Sequence, residues 1–373
     1  MLIERVTTRQ IIGFIIISRF SFAISSMPAI NLPPNNQDQW VMIAISFLYI
    51  IVFSTPLLFL ANRFNEFSML EYMKKIYGET LGKIIGMFYG LFFMANVIDS
   101  LTLQTELVST SILTDSSIFL ITVTMWITCM YIASRGVITI FRGSDLFGPI
   151  TSFIFIGLLL LGLPNVDFSF IFPMLKDSSF IDINNGAMRL SLLYSDIFLL
   201  TMIIPELENK KDINKIFIKV ILGVNILLII SVIVTQGALG IQLARHSVFP
   251  FLIYTRLINF VEIFERIDSA FVLVWIITST ARITGFIYIS TRVYRDIFNK
   301  KEDEKVIIFF VGLIIFIVSM YISRARHVVG IRKDFDLYMN ILSIIFFLSI
   351  PTLTCIVYFF RRKSIEKKEK SEN

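Results

Sequence analysis

Long apolar stretches dominate this chain of 373 residues and restrict it to a membrane fold. A hydrophobic segment of about 20 residues crosses a bilayer as an α-helix, because backbone exposed to lipid must satisfy its own hydrogen bonds. The predicted spans are residues 9–29, 40–61, 82–104, 118–134, 147–164, 187–205, 216–240, 268–290, 305–323 and 338–360. The sequence therefore predicts an all-α integral membrane protein with about ten transmembrane helices.

The composition argues against several other classes of protein. Hydrophobic residues make up 55% of the chain and charged residues only 17%, which is too little charge for a soluble domain of this size. The net charge of +6 does not indicate a nucleic-acid partner, since Lys and Arg lie in short loops beside the spans. The sequence has no phosphate loop, nucleophile elbow or zinc-protease motif. We expect neither an enzyme nor a bound cofactor or metal.

The distribution of basic residues predicts the orientation in the membrane. Lys and Arg follow the even-numbered spans, whereas the loops after spans one and three contain neither. The positive-inside rule therefore places both termini in the cytoplasm, with residues 361–373 as a basic tail. One loop disagrees, because four basic residues lie on the predicted outer side between spans nine and ten. These are Arg324, Arg326, Arg332 and Lys333.

Two of the spans combine polar residues with a terminal proline, Pro28 in the first and Pro205 in the sixth. A helix is interrupted inside a membrane only where the freed backbone lines a cavity. Interrupted spans in matching halves mark the ligand site of transporters built from inverted repeats. We therefore predict one membrane domain, residues 1–373, with five-helix repeats at 1–164 and 187–360 and with helices one and six broken.

Four spans supply candidates for a ligand site near the bilayer midplane. Small hydroxyl side chains satisfy the carbonyls of a broken helix, and polar residues at helical spacing face the bundle interior. A carboxylate near a helix centre costs about 2.5–3.5 kcal/mol on insertion scales, so it indicates a function. The candidate ligand-binding residues are Ser21, Phe22, Ala23, Asn96, Asp99, Ser100, Ser195, Asp196, Thr280, Thr284 and Tyr288.

Other interpretations of these residues stay open. The serines of span one also suit a continuous helix in which they bond back to the preceding turn. Asp196 also suits an ion pair, and Arg19 and Arg282 join it as candidates for gating or pairing. Arg282 can pair with Asp196 or Asp99, or it can extend towards the cytoplasmic surface.

Three segments carry a resemblance to a known family. The first is Asn-Gln-Asp-Gln-Trp at 36–40. The second is Ala-Ser-Arg-Gly-Val-Ile-Thr-Ile-Phe-Arg at 133–142, which is followed by Phe-Gly-Pro at 147–149. The third begins with Phe-Pro at 249–250, includes Phe-Glu-Arg-Ile-Asp-Ser at 264–269 and ends at Trp275. These segments resemble the B subunits of spore germinant receptors, which are similar to amino acid/polyamine permeases. Arg282 falls on a cationic position of that family. The chain departs from it at Ser21 and Ala23, where glycines are usual, and at Asp196, where Glu is usual.

The resemblance implies a nutrient sensor in the inner membrane of bacterial spores. Such subunits assemble with an A subunit and a lipoprotein C subunit, and a small nutrient, typically an amino acid, triggers ion release and germination. We expect a zwitterion at the broken segments of spans one and six, with helix-end amides binding its carboxylate. Two alternatives use the same spans: a proton-coupled amino acid transporter and an ion channel.

Overall fold

The computed structural model describes residues 5–25, 27–30, 32, 34, 36–176, 178–258, 267–299, 304–325 and 338–372. The helices are α1 Thr8–Ser25, α2 Gln39–Arg63, α3 Met69–Tyr77, α4 Glu79–Ser111, α5 Ile118–Ala133, α6 Val137–Gly162, α7 Phe180–Ser191, α8 Ile197–Met202, α9 Ile213–Leu239, α10 Ile241–His246, α11 Pro250–Arg256, α12 Asp268–Phe298, α13 Glu304–Ala325 and α14 Tyr338–Lys367. In α14, residues Ile344–Ser349 form a π-helix. The expected all-α architecture is confirmed.

Seven of the described helices are long and apolar enough to cross a membrane: α2, α4, α6, α9, α12, α13 and α14. The other three predicted spans fall on different kinds of element. The fourth span is α5, which is apolar but has only 16 residues. The first is α1, which carries buried Arg19, and the sixth is divided between α7 and α8. Polar content, shortness and interruption therefore distinguish these three from the seven.

The interruption expected around Ser21 and Ala23 is wrong. Helix α1 is continuous from Thr8 to Ser25, and a short 3₁₀ turn, Met27–Ala29, follows it. The hydroxyl of Ser18 bonds back to the carbonyl of Ile15 at 2.8 Å, as the continuous-helix interpretation expects. The amide–carbonyl ladder of this helix is therefore used within the helix itself.

Several span ends also differ from the expected positions. Helix α6 begins at Val137, so Arg142 lies inside a helix rather than in a loop. The basic residues at 361–367 lie in the last turns of α14, and the helical backbone continues beyond it to Glu372. Arg324 is exposed at the end of α13, whereas Arg326, Arg332 and Lys333 lie outside the described residues.

Helix α3 is a short amphipathic helix that the hydropathy analysis placed in a loop. A capping box begins it: the Glu71 amide donates to Ser68 Oγ at 3.4 Å, and the Ser68 amide donates to Glu71 Oε2 at 2.6 Å. Its buried face, which includes Leu70 and Met73, packs against α4 and α14. The Ser-x-x-Glu pattern was the available signal, but the helix is too short and too polar for a hydropathy window.

A row of glycines on α4 allows α3 and α12 to approach closely. A Cβ atom at Gly82 would lie 2.6 Å from the Cα of Lys74, and one at Gly90 would lie 2.7 Å from the ring of Tyr294. Small residues at four-residue spacing are the usual means of close helix packing in membranes. The position of α4, which carries Asn96 and Ser100, therefore depends on these contacts.

We expect Gly82→Ala to destabilise the protein by about 1–3 kcal/mol, because the new methyl group meets backbone atoms of α3 that cannot rotate away. Gly157→Ala is the matched control, since a Cβ atom there has no neighbouring atom within 4 Å. Thermal unfolding in detergent measures both. An unfolding temperature for Gly82→Ala equal to that of Gly157→Ala would contradict the packing argument.

Candidate functional site

The sixth predicted span is interrupted at residues 192–196, between the end of α7 at Ser191 and the start of α8 at Ile197. The first amides of α8 are already bonded: Ile197, Phe198 and Leu199 donate to carbonyls three residues back at 3.2, 3.0 and 3.0 Å. These amides are therefore not available to a ligand carboxylate, contrary to the expectation from the sequence. The interruption instead presents side chains, Ser195 and Asp196 in particular.

Asp196 lies between two arginines in the interior of the helix bundle. Its Oδ2 accepts a hydrogen bond from Arg19 Nη1 of α1 at 3.3 Å, and its Oδ1 accepts one from Arg282 Nη1 of α12. The hydroxyl of Ser18 also donates to Oδ1, at 3.0 Å. Asp196, Arg19 and Arg282 are 4%, 2% and 7% exposed, so these charges are removed from solvent. The carboxylate thereby connects α1, α12 and the interrupted sixth span.

Arg282 has several polar partners besides Asp196. Its Nε donates to Ser100 Oγ at 3.0 Å, and its Nη2 lies 3.3 Å from both Asn96 Oδ1 and Ser195 Oγ. Ser195 in turn donates to Asn96 Oδ1 at 2.8 Å. A guanidinium has five N–H donors in a planar fork, and this environment uses donors on all three of its nitrogens.

Arg19 is surrounded differently from Arg282. Its guanidinium carbon lies 4.1 Å from the centre of the Phe22 ring and 5.3 Å from that of Tyr194, within the range of cation–π attraction. Asp196 is its ion-pair partner among the described residues, and its buried Nε has no hydrogen-bond partner there. Each nitrogen of Arg282 thus has a hydrogen-bond partner, whereas Arg19 has a nitrogen without one among the described residues.

These contacts define a polar cluster on four of the predicted spans: one, three, six and eight. We name it the midplane polar cluster after the position in the bilayer that the sequence predicts for it. Its members are Ser18, Arg19, Asn96, Ser100, Ser195, Asp196 and Arg282. Two guanidiniums and one carboxylate leave an excess positive charge, which is unsuited to a metal ion. Ser18 is the member that the sequence analysis did not propose; its position one residue before Arg19 was the available signal.

Other candidates lie away from this cluster. Thr280 and Thr284 lie near Cys129 of α5, and the Thr284 hydroxyl donates to the Thr280 carbonyl at 2.7 Å. Because successive helix residues are 100° apart, positions two residues from Arg282 point to nearly the opposite side of α12. Tyr288 lies further along α12, near the charges of Glu206 and Arg292.

The remaining candidates are on α1 and α4. Asp99 is half-buried on α4, and it is not one of the residues whose hydrogen bonds define the cluster. The carbonyl of Ser21 accepts a hydrogen bond from Trp275 Nε1 at 3.2 Å, which joins α1 to α12. Phe22 contacts Arg19, and the side chain of Ala23 lies outside the described residues.

A second set of contacts closes the end of the bundle that carries the N-terminus. Val6 forms a parallel bridge with Leu207: the Val6 amide donates to the Glu206 carbonyl at 2.9 Å, and the Glu208 amide donates to the Val6 carbonyl at 3.0 Å. The Glu206 carboxylate also pairs with Arg292 of α12 at 2.6 Å. The segment before α1 and the segment after α8 are therefore joined at the end of the bundle that carries the N-terminus.

We expect Asp196→Asn to destabilise the protein by about 3–5 kcal/mol, because it leaves two buried cations without their anion. The double variant Asp196→Asn/Arg282→Gln should lose less stability than the sum of the losses in the two single variants, by at least about 1 kcal/mol. Denaturation with sodium dodecyl sulfate in mixed micelles measures these free energies of unfolding.

The exposed pair Arg9–Asp145, 2.9 Å apart, provides the matched control cycle. We expect its coupling to be below about 1 kcal/mol, since water screens charges at the surface. Equal coupling in the two cycles would show that the buried pair does not join the helices.

Comparison with known proteins identifies the family. The spore germination protein family matches residues 5–327. The chain is 22% identical to spore germination protein KB of Bacillus subtilis (strain 168), over 99% of this chain and 98% of that protein. It is 21% identical to spore germination protein YndE of the same organism, over 80% of this chain and 82% of that protein.

Solved transporter structures share the fold. MhsT in complex with L-phenylalanine superposes with a TM-score of 0.64 at 13% identity, over 95% of this chain and 89% of MhsT. Mhp1, a nucleobase–cation symporter, gives 0.62 at 13% identity, over 96% and 80%. A Na⁺-coupled sialic acid symporter gives 0.61 at 12% identity, over 89% and 76%. The resemblance seen in the sequence is thus confirmed, and this chain belongs to the spore germination protein family.

Proposed function

We propose that this protein is the nutrient-sensing membrane subunit of a spore germination receptor and that its ligand binds at the midplane polar cluster. The family membership supports the role in germination. The observation that supports the site is the set of contacts that Asp196 and Arg282 make with α1, α4 and the interrupted sixth span. A ligand touching these helices together can favour one of two arrangements, to the extent that its affinities for them differ.

A small zwitterion, such as an amino acid, is the ligand class that we propose. The cluster offers a carboxylate, two guanidiniums, an amide and three hydroxyls in a small volume, and such a set suits a compact polar molecule. MhsT, which has the same fold, is known in complex with L-phenylalanine. Both observations favour an amino acid over a large or apolar ligand.

The finer architecture belongs to the same proposal. We infer ten crossings, with α1, α5 and the α7–α8 pair added to the seven long helices, arranged as repeats at 1–164 and 187–360. Basic residues after the even-numbered spans support cytoplasmic termini. By family analogy the protein would lie in the inner spore membrane and assemble with an A subunit and a lipoprotein C subunit.

A nutrient transporter is the second candidate, because the solved structures that share the fold include two symporters. It would use the same site but would carry the ligand across. The excess positive charge of the cluster opposes the binding of a coupling cation there. Counterflow of labelled amino acids in liposomes separates the two functions: we expect saturable binding without counterflow, and rapid counterflow would favour the transporter.

Asn96→Ala tests the proposed site. The Asn96 carboxamide oxygen accepts hydrogen bonds from Ser195 and Arg282. Removing these bonds, one of them to a charged group, should raise the nutrient concentration for half-maximal germination roughly 5- to 150-fold. Germination of spores that carry the variant in place of the wild-type chain measures this, with protein abundance determined in parallel.

Asn225→Ala of α9 is the matched control. Asn225 is buried like Asn96, and each side chain donates to the carbonyl four residues earlier, at 3.1 and 2.9 Å. The Asn225 carboxamide oxygen, however, has no hydrogen-bond partner among the described residues. We expect its dose response to match the wild type. Equal shifts in the two variants at normal abundance would contradict a ligand site at the cluster.

A further inference from the structure

We propose that Arg19 is the residue that binds the ligand's carboxylate, so that the ligand must carry an anionic group; this inference rests on the proposed function. The midplane polar cluster contains two guanidiniums but one carboxylate, Asp196. Arginine stays protonated in proteins, so it does not escape burial by losing its proton. The described residues of the cluster therefore retain one positive charge that is not neutralised, and an anionic ligand would neutralise it.

The two arginines do not share this deficit equally. Arg282 contacts four partners: Ser100, Asn96, Ser195 and Asp196. Among the described residues, Arg19 hydrogen-bonds through Nη1 to Asp196 at 3.3 Å, and its buried Nε has no partner there. The unused donor capacity of the cluster is thus on Arg19.

The surroundings of Arg19 also suit a bidentate ligand. The rings of Phe22 and Tyr194 lie 4.1 and 5.3 Å from its guanidinium carbon, so they contact the cation without providing hydrogen-bond acceptors of carboxylate strength. A planar guanidinium matches a carboxylate through two parallel N–H···O bonds. Asp196 occupies one edge of the fork, and Nε belongs to another edge.

The first amides of α8 do not provide a competing site. In many proteins the first amides of a helix bind anions. Here the amides of Ile197, Phe198 and Leu199 are already bonded to carbonyls of the preceding turn, and α8 has only six residues. Helix α1 continues through Ser25, so its amides are used within the helix. We therefore assign to a side chain the role that helix-end amides were expected to take.

Binding of free amino acids and of their carboxamides tests the proposal. The full-length chain in nanodiscs is titrated with each of the twenty common amino acids and, for those that bind, with the corresponding carboxamide, which keeps the ammonium group but lacks the anion. We expect the wild type to prefer the acid roughly 10- to 150-fold, the range for a hydrogen bond to a charged group. Arg19→Gln should remove the preference, and Arg19→Lys should retain part of it.

Stability without ligand provides a second readout that does not depend on the identity of the nutrient. Arg19→Gln removes the excess charge and leaves Asp196 paired with Arg282, so the unfolding temperature should stay the same or rise. Arg282→Gln removes hydrogen bonds to four buried polar partners and should lower it by several degrees. Equal losses in the two variants would show that Arg19 is a structural partner of Asp196 and would overturn the inference.

The outcomes separate this inference from the proposed function. Amino acids that bind with the same affinity as their carboxamides would overturn the role of Arg19 and leave an amino acid sensor in place. Failure of all twenty amino acids to bind the folded wild type would overturn the proposed ligand class itself. Sodium chloride is the last probe. If chloride stabilised the wild type but not Arg19→Gln, and no amino acid bound more tightly than its carboxamide, the anion bound by Arg19 would be inorganic. That result would overturn the proposed role of the ligand's carboxylate.

Discussion

The fold of this protein depends on how a buried carboxylate is balanced by two buried guanidiniums. Asp196 connects Arg19 of α1 with Arg282 of α12 at a point where the sixth span is not helical. In a medium of low dielectric constant a buried carboxylate cannot be left without a cation except at a large cost, so Asp196 holds the sixth span beside α12 through Arg282. The interruption of the sixth span is tolerated because its polar groups have partners inside the bundle.

Under the proposed function, the residues that stabilise the bundle are also the residues that bind the ligand. A cluster in which every charge is neutralised would only stabilise the fold. This cluster contains an extra cation and an unused donor on Arg19. A ligand that completes such a site stabilises whichever arrangement of the four helices fits it best. Contacts at the end of the bundle that carries the N-terminus, between Val6 and Leu207 and between Glu206 and Arg292, join the same spans at a second level.

Sequence reasoning was most successful where a property is local. The long apolar helices follow from composition over about 20 residues, and the spans that carry polar residues were visible for the same reason. It failed on the continuity of the backbone: α1 is helical through Ser25, and Ser18 bonds back to its own helix instead of marking an interruption. It also missed α3, because a nine-residue amphipathic helix has no signal in a hydropathy window.

By itself, the sequence determined that the chain is a helical membrane protein, that spans one, three, six and eight carry its polar residues, and which family it belongs to. Only the tertiary structure decided which of those residues meet. Asp196 pairs with Arg282, 86 positions away, and with Arg19, 177 positions away, while Thr280 and Thr284 face Cys129 instead. The physical reason is that hydropathy and periodicity are summed along a segment, whereas the neutralisation of a buried charge depends on distant helices brought together by packing.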